Sequence, residues 1–171
     1  MPRKAKRATK RKPAQTKKRR VEAPPKRKPP SYEKLFKAVL RILRSFEPTK
    51  HGKPREVDIE RELVQALKYG LPKPYNEQVV YEKEIRGGRL DISIGGNQVG
   101  VELKVEPNKS ELDRLVGQVN RYRKEFKRIA VLILYAGIGA RAEVVQETVE
   151  EIKKRGGKKV EVIVKGYTSK K

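Results

Sequence analysis

Apolar residues along this chain follow two periods, and the switches between them mark out the elements. From Ser31 to Phe46 they recur at helical spacing, as Leu35, Phe36, Val39, Leu40, Ile42, Leu43 and Phe46. Pro30-Ser31 is a helix start, Glu33 sits near the positive end of the dipole, and Pro48 stops the run. The apolar face of this helix either packs on the rest of the chain or forms a dimer surface. A second helix is predicted from about Arg55 to Tyr69, closed by Gly70 and Pro72, with Val57, Leu63, Val64, Leu67 and Leu71 as its stripe. The period then drops to two. Gln78 to Ile85 alternates loosely and reads as a first strand, with Glu82 and Glu84 sharing a face that either approaches the candidate site or, the plainer reading, is an edge-strand surface. Next, Leu90, Ile92 and Ile94 are expected on one side, with Arg89, Asp91 and Ser93 on the other. After a glycine turn, Val99, Val101, Leu103 and Val105 face the core, with Gly100, Glu102 and Lys104 opposite.

Helical spacing returns at Leu112, Leu115, Val119, Tyr122 and Phe126, with Val116 at the margin and Ser110 with Asp113 matching a helix-start signature. Ile129 to Tyr135 is a continuous apolar run, as expected of a strand covered on both faces. Gly137 and Gly139 follow it but lack the remaining residues of a phosphate-binding loop, which argues against nucleotide binding. A helix from about Arg141 to Arg155 leads to a last strand, Lys159 to Val164. The predicted fold class is therefore α/β, a mixed sheet flanked by helices, with the core order α-β-β-β-α-β.

Composition adds a partner to this outline. The 171 residues carry a net charge of +23, which favours a polyanion, most often nucleic acid. Thirteen of those charges lie in residues 1–30, a Lys/Arg/Pro segment expected to be disordered alone and to act as an arm on phosphates. A solubilising tail, or a localisation signal in a nucleated cell, is the plainer alternative. The remaining organisation is a helix and linker over 31–54 and one domain over 55–171. Cysteine is absent, so there is neither a disulfide framework nor a thiolate metal site. No run reaches the length of a membrane span, and the N-terminus lacks a signal-peptide core. The expected location is cytoplasmic and nucleoid-associated, or nuclear if the source is a eukaryote. His51 lies alone in a polar loop and reads as a surface residue.

Three acidic residues and a lysine carry the candidate chemistry. At about 100° per residue, Glu60 falls in the middle of the second helix's apolar stripe. A carboxylate aimed at a core needs a cation, either a metal or a basic side chain in a buried ion pair. A hairpin turn centred on Gly96-Asn97 puts Asp91 opposite Glu102, where the two charges repel unless a divalent cation joins them. A turn centred on Gly95-Gly96 instead puts Glu102 opposite Arg89 in a surface ion pair and Asp91 opposite Gly100. Both registers keep the apolar face inward. Lys104 shares the face of Glu102, and Gln118 flanks the buried stripe of its helix. Each has an ordinary solvated reading as well. Arg114, Arg121, Arg123, Lys124, Lys127 and Arg128 offer contacts to phosphates or are simply solvated.

Asp91 followed by Glu102-Leu103-Lys104, with a helical Glu before them, resembles the PD-(D/E)xK nuclease superfamily, of restriction-endonuclease-like fold. The text IERELVQAL around Glu60 is similar to the opening helix of archaeal Holliday-junction resolvases, and GQVNRY, with Gln118 and Tyr122, to the QxxxY motif of the RecB-like branch. Leu90 stands where the family name has Pro. The resemblance covers roughly residues 55–135. It implies that Asp91, Glu102 and the Leu103 carbonyl, with Glu60 directly or through water, hold Mg2+ or Mn2+. It further implies that Lys104 and Gln118 act on the attacking water or the transition state. The function so implied is a metal-dependent DNA endonuclease, structure-directed or resolvase-like, on double-stranded or branched DNA, with a homodimer as one form. A basic DNA-binding protein on the same fold that does not cut is the alternative, and RNA cleavage a third.

Overall fold

The computed structural model describes residues 31–49, 55–135 and 140–166; the basic tail, His51, Gly137 and Gly139 lie outside them. Helix α1 (Tyr32–Ser45) and helix α2 (Glu56–Gly70) lead through a short turn to strands β1 (Val79–Ile85), β2 (Gly88–Ile94) and β3 (Val99–Val105). Helix α3 (Lys109–Glu125), strand β4 (Arg128–Tyr135), helix α4 (Ala140–Gly156) and strand β5 (Val160–Gly166) follow. The strands form one sheet in sequence order. β1, β2 and β3 pair antiparallel, while β3, β4 and β5 pair parallel through the crossovers that α3 and α4 supply. The mixed α/β architecture and its α-β-β-β-α-β order are those the periodicity predicts.

The sheet has a helical layer on each face. Leu35, Val39, Leu43, Leu63 and Leu67 of α1 and α2 pack with Ile92, Val101, Leu103 and Leu132 in one core. Leu115, Val119, Tyr122, Val145 and Ile152 of α3 and α4 pack with Ile129, Val131 and Ile133 in the other. Residues of β4 thus alternate between two apolar cores, which is why its sequence shows no polar face. Helix α1 packs on this domain. Arg128 donates to Glu33 at 2.7 and 3.1 Å across the α1/β4 joint, and Arg44 meets Glu161 of β5 at 3.2 Å. Among the described residues no helix is long and apolar enough to cross a membrane.

Three local expectations are corrected. Val57 is only half-buried, and Ile59, 1% exposed, takes the core position beside Leu63. The cap of α3 is Asn108 with Glu111, each side chain bonded to the other's backbone N–H, while Ser110 and Asp113 are exposed on the helix. The third concerns Leu90. It packs in the α3/α4 core, away from Ile92 and Ile94. The strand opposite changes sides at the same place: Tyr81 packs on the α1/α2 core, Ile85 on the other. Between them Glu82 takes a left-handed φ of 49°, costly for a residue with a Cβ. Both strands of the β1/β2 hairpin therefore exchange faces at the level of Glu82 and Asp91.

Gly100 marks a close approach. A Cβ there would lie 2.9 Å from both Leu90 Cδ2 and Ile129 Cδ1 and 3.3 Å from Phe126 Cγ. Gly100→Ala is expected to destabilise the fold by about 1–3 kcal/mol through overpacking. Urea unfolding is the check, and an unchanged midpoint would mean that the cluster has room to spare.

Candidate functional site

β2 and β3 pair for only three residues from their turn: Ile94 with Val99, Ser93 with Gly100 and Ile92 with Val101. Gly95 and Gly96, at φ of 64° and 71°, supply the left-handed backbone that begins this turn. In this register Asp91 and Glu102 are the next residues in line, and Glu102 does not face Arg89. There the ladder stops. β2 remains bonded to β1 as far as Gly88, and β3 to β4 as far as Val105, so the two strands part at the two carboxylates.

The parting leaves backbone groups without strand partners, and side chains take their place. The Leu103 N–H donates to Asp91 Oδ2 at 2.7 Å. The Tyr122 hydroxyl of α3 donates to the Arg89 carbonyl at 2.7 Å. Helix α2 reaches the gap from one face of the sheet and α3 from the other. Residues of two opposed layers can meet there because the sheet is open.

Glu102 is fully buried, and neither of its oxygens accepts a hydrogen bond. The Lys104 ammonium lies 3.1 Å from Glu102 Oε1 in a buried ion pair. Lys104 also donates to the Leu103 carbonyl at 2.8 Å and to Glu56 Oε1 at 3.2 Å. Gln118 donates through Nε2 to the Tyr122 hydroxyl at 3.1 Å, leaving its own Oε1 buried and without a partner. Glu60 is buried as its helical phase predicts; among the described residues no basic side chain pairs with it, and its charge is felt at Asp91. It accepts a 2.8 Å hydrogen bond from the Tyr81 hydroxyl. Glu82, sharing this end of the sheet, pairs with Arg89 at 3.3 Å.

The electrostatics follow from that burial. Loss of water pushes the Glu102 carboxyl up to about 8; the Asp91 charge adds to the rise and Lys104 opposes it. Burial likewise raises Asp91 to about 6, against the pull of Lys104 and the Leu103 N–H, while the charges of Glu60 and Glu56 push it upward. Burial works to lower Lys104, but Glu102, Asp91 and Glu56 outweigh it and hold the ammonium above the ordinary lysine range. Tyr122 is pushed up to about 12 by burial and by the Glu102 charge. Each group reports its neighbours: a buried acid and a half-buried one repel each other, and one ammonium beside them is insufficient compensation.

Among the described residues no three His, Cys, Asp or Glu side chains converge on a point that would hold a metal. The oxygens that could share a cation are those of Asp91 and Glu102 with the Leu103 carbonyl. They are a hard set suited to Mg2+ or Mn2+. Such an ion would add to the positive charge that Lys104 supplies to Glu102. Glu56 is the residue that the sequence reading passes over. It stands one helical turn before Glu60 and so on the same side of α2, a signal that was available. An acid in a first turn is, however, already accounted for by the helix dipole.

No family model and no curated protein matches this chain. A solved structure to which it is similar is that of Pyrococcus furiosus SfsA in complex with Ca2+, with 15% identity and a TM-score of 0.43. The match covers 70% of this chain and 68% of that one. A likeness so loose bears on neither chemistry nor partner.

Proposed function

We propose that the protein is a divalent-metal-dependent nuclease that hydrolyses DNA phosphodiester bonds, acting as an endonuclease on structured or branched duplexes. One observation carries the reading: a fully buried glutamate, 3.1 Å from a buried lysine, beside a second, half-buried carboxylate. Two carboxylates here share one nearby ammonium, and leaving a second charge uncompensated costs several kcal/mol, so the arrangement makes sense as one completed by a further cation. Asp91, Glu102 and the Leu103 carbonyl would hold Mg2+ or Mn2+. When bound, the ion would acidify a water and neutralise phosphate charge.

The chain's own side chains do the remaining work. The Leu103 N–H fixes Asp91 in orientation, and Tyr122 fixes Gln118. Gln118 Oε1 is then available to accept a hydrogen bond from the attacking water. Lys104 places a positive charge where negative charge develops on the phosphorus oxygens. Glu60, tied to Tyr81, acts on Asp91 through its charge. For the duplex, Arg121, Arg123, Lys124 and Arg155 line a cavity of about 400 Å³ at the ends of α3 and α4, a place for backbone phosphates.

The test is incubation of plasmid, linear and four-way-junction DNA with the protein and Mg2+ or Mn2+. Metal-dependent nicking or cutting is expected. Binding without cutting would overturn the nuclease reading and leave a DNA-binding protein. Deleting residues 1–30 is expected to flatten the slope of log affinity against log salt, because fewer counterions are released. Salt titrations of both chains measure it, and an unchanged slope would deny the tail a role on phosphates.

A further inference from the structure

We propose that Glu56 is a positioning residue for Lys104: with the Leu103 carbonyl it fixes the place of the ammonium that also pairs with Glu102. The consequence for cleavage rests on the nuclease reading above. A lysine ammonium sits on a flexible stem and its donors rotate freely, so its acceptors determine where it rests. Three oxygens surround this one: Leu103 O at 2.8 Å, Glu102 Oε1 at 3.1 Å and Glu56 Oε1 at 3.2 Å. Only the first and last accept hydrogen bonds. Glu56 is itself fixed, because its Oε2 accepts the N–H of Val105, the residue after Lys104, at 3.0 Å.

A carboxylate in a first turn could serve only its own helix. Asp58 does so, bonding Arg55 at the start of α2. Glu56 crosses to β3 and spends both oxygens there. Without it, the one carboxylate still in contact with the ammonium is Glu102. The ammonium would then rest on Glu102 and the Leu103 carbonyl alone and shift from its present place. Glu56 thus fixes where the ammonium stands relative to Glu102 and the Leu103 carbonyl.

The test is a double-substitution cycle on the full chain, cutting plasmid DNA in Mg2+, with Asp91→Ala as the control for metal-dependent cleavage. Glu56→Gln is expected to lower kcat about tenfold, with KM changed by less than about twofold. In a Lys104→Ala background it is expected to cost nothing further, because it acts through the lysine. Glu56→Ala, which removes both contacts, should repeat the pattern if the glutamine oxygen still holds the ammonium. Equal losses in both backgrounds, or no loss in either Glu56 variant, would overturn the proposal while leaving the nuclease reading intact. Should the wild-type chain not cut, that reading fails and side-chain NMR of nitrogen-labelled lysine decides the placement. One protected ammonium signal, missing in Lys104→Ala, is expected to shift in Glu56→Gln; an unmoved signal would overturn it.

Discussion

Asp91→Asn is expected to lower metal-dependent DNA cleavage by at least about 10²-fold, the scale seen when one preorganised electrostatic group is removed. The choice of asparagine matters. Asp91 does two things: it carries charge beside Glu102, and it accepts the Leu103 N–H that the parted strands leave without a backbone partner. Asparagine keeps an oxygen for that N–H and removes only the charge. Alanine removes both, and stranding the amide costs a further 1–3 kcal/mol or so of stability. Activity should therefore fall in both variants, while the thermal midpoint falls mainly in Asp91→Ala. Single-turnover cleavage with thermal melting separates the two. Wild-type cutting by Asp91→Asn would remove Asp91 from the chemistry.

The second large effect is on stability against pH. Glu102 at about 8 and Asp91 at about 6 both lie above their ordinary values of 4.5 and 3.8, chiefly because they are buried. The folded chain therefore binds more protons than the unfolded one through this range. Its stability from these groups is full below about pH 4 and falls as pH rises through 6 to 8. In chelator, the thermal midpoint is expected to drop by several degrees between pH 5 and pH 8.5, and Glu102→Gln should flatten the drop. A cation in the site replaces the protons, so Mg2+ or Mn2+ should restore the midpoint at pH 8.5 and do little at pH 5. Scans with and without metal measure this. A metal effect equal at both pH values would place the ion elsewhere.

Much of the fold is legible because each layer writes a distinct period into the sequence. Val99 to Val105 alternates since one face meets α1 and α2, and Ile129 to Tyr135 does not since both faces meet helices. The even residues of β3 read as a polar surface, yet Glu102 and Lys104 are buried. Alternation shows which residues share a side, and it is silent on whether that side is covered. Leu90 defeats the same rule, because the exchange of faces originates in the backbone of Glu82, a residue whose identity gives no hint of a positive φ. The register at the turn is open from pattern alone, since either choice buries the same apolar face; the β2/β3 pairing shows which is taken. Glu60 is legible as buried from its helical phase. Its partner Tyr81 is not, because the pairing depends on how α2 lies over β1.

The exchange of faces in the β1/β2 hairpin has a consequence for how the protein can be cut down or transplanted. One end of the hairpin belongs to the layer under α1 and α2, the other to the layer under α3 and α4, and Asp91 sits at the crossing. Neither helical layer alone can dock both ends. A fragment lacking either layer would retain Asp91, Glu102 and Lys104 in its sequence and lose their placement in space. The motif is therefore not portable as a hairpin, and a graft would have to carry both walls with it.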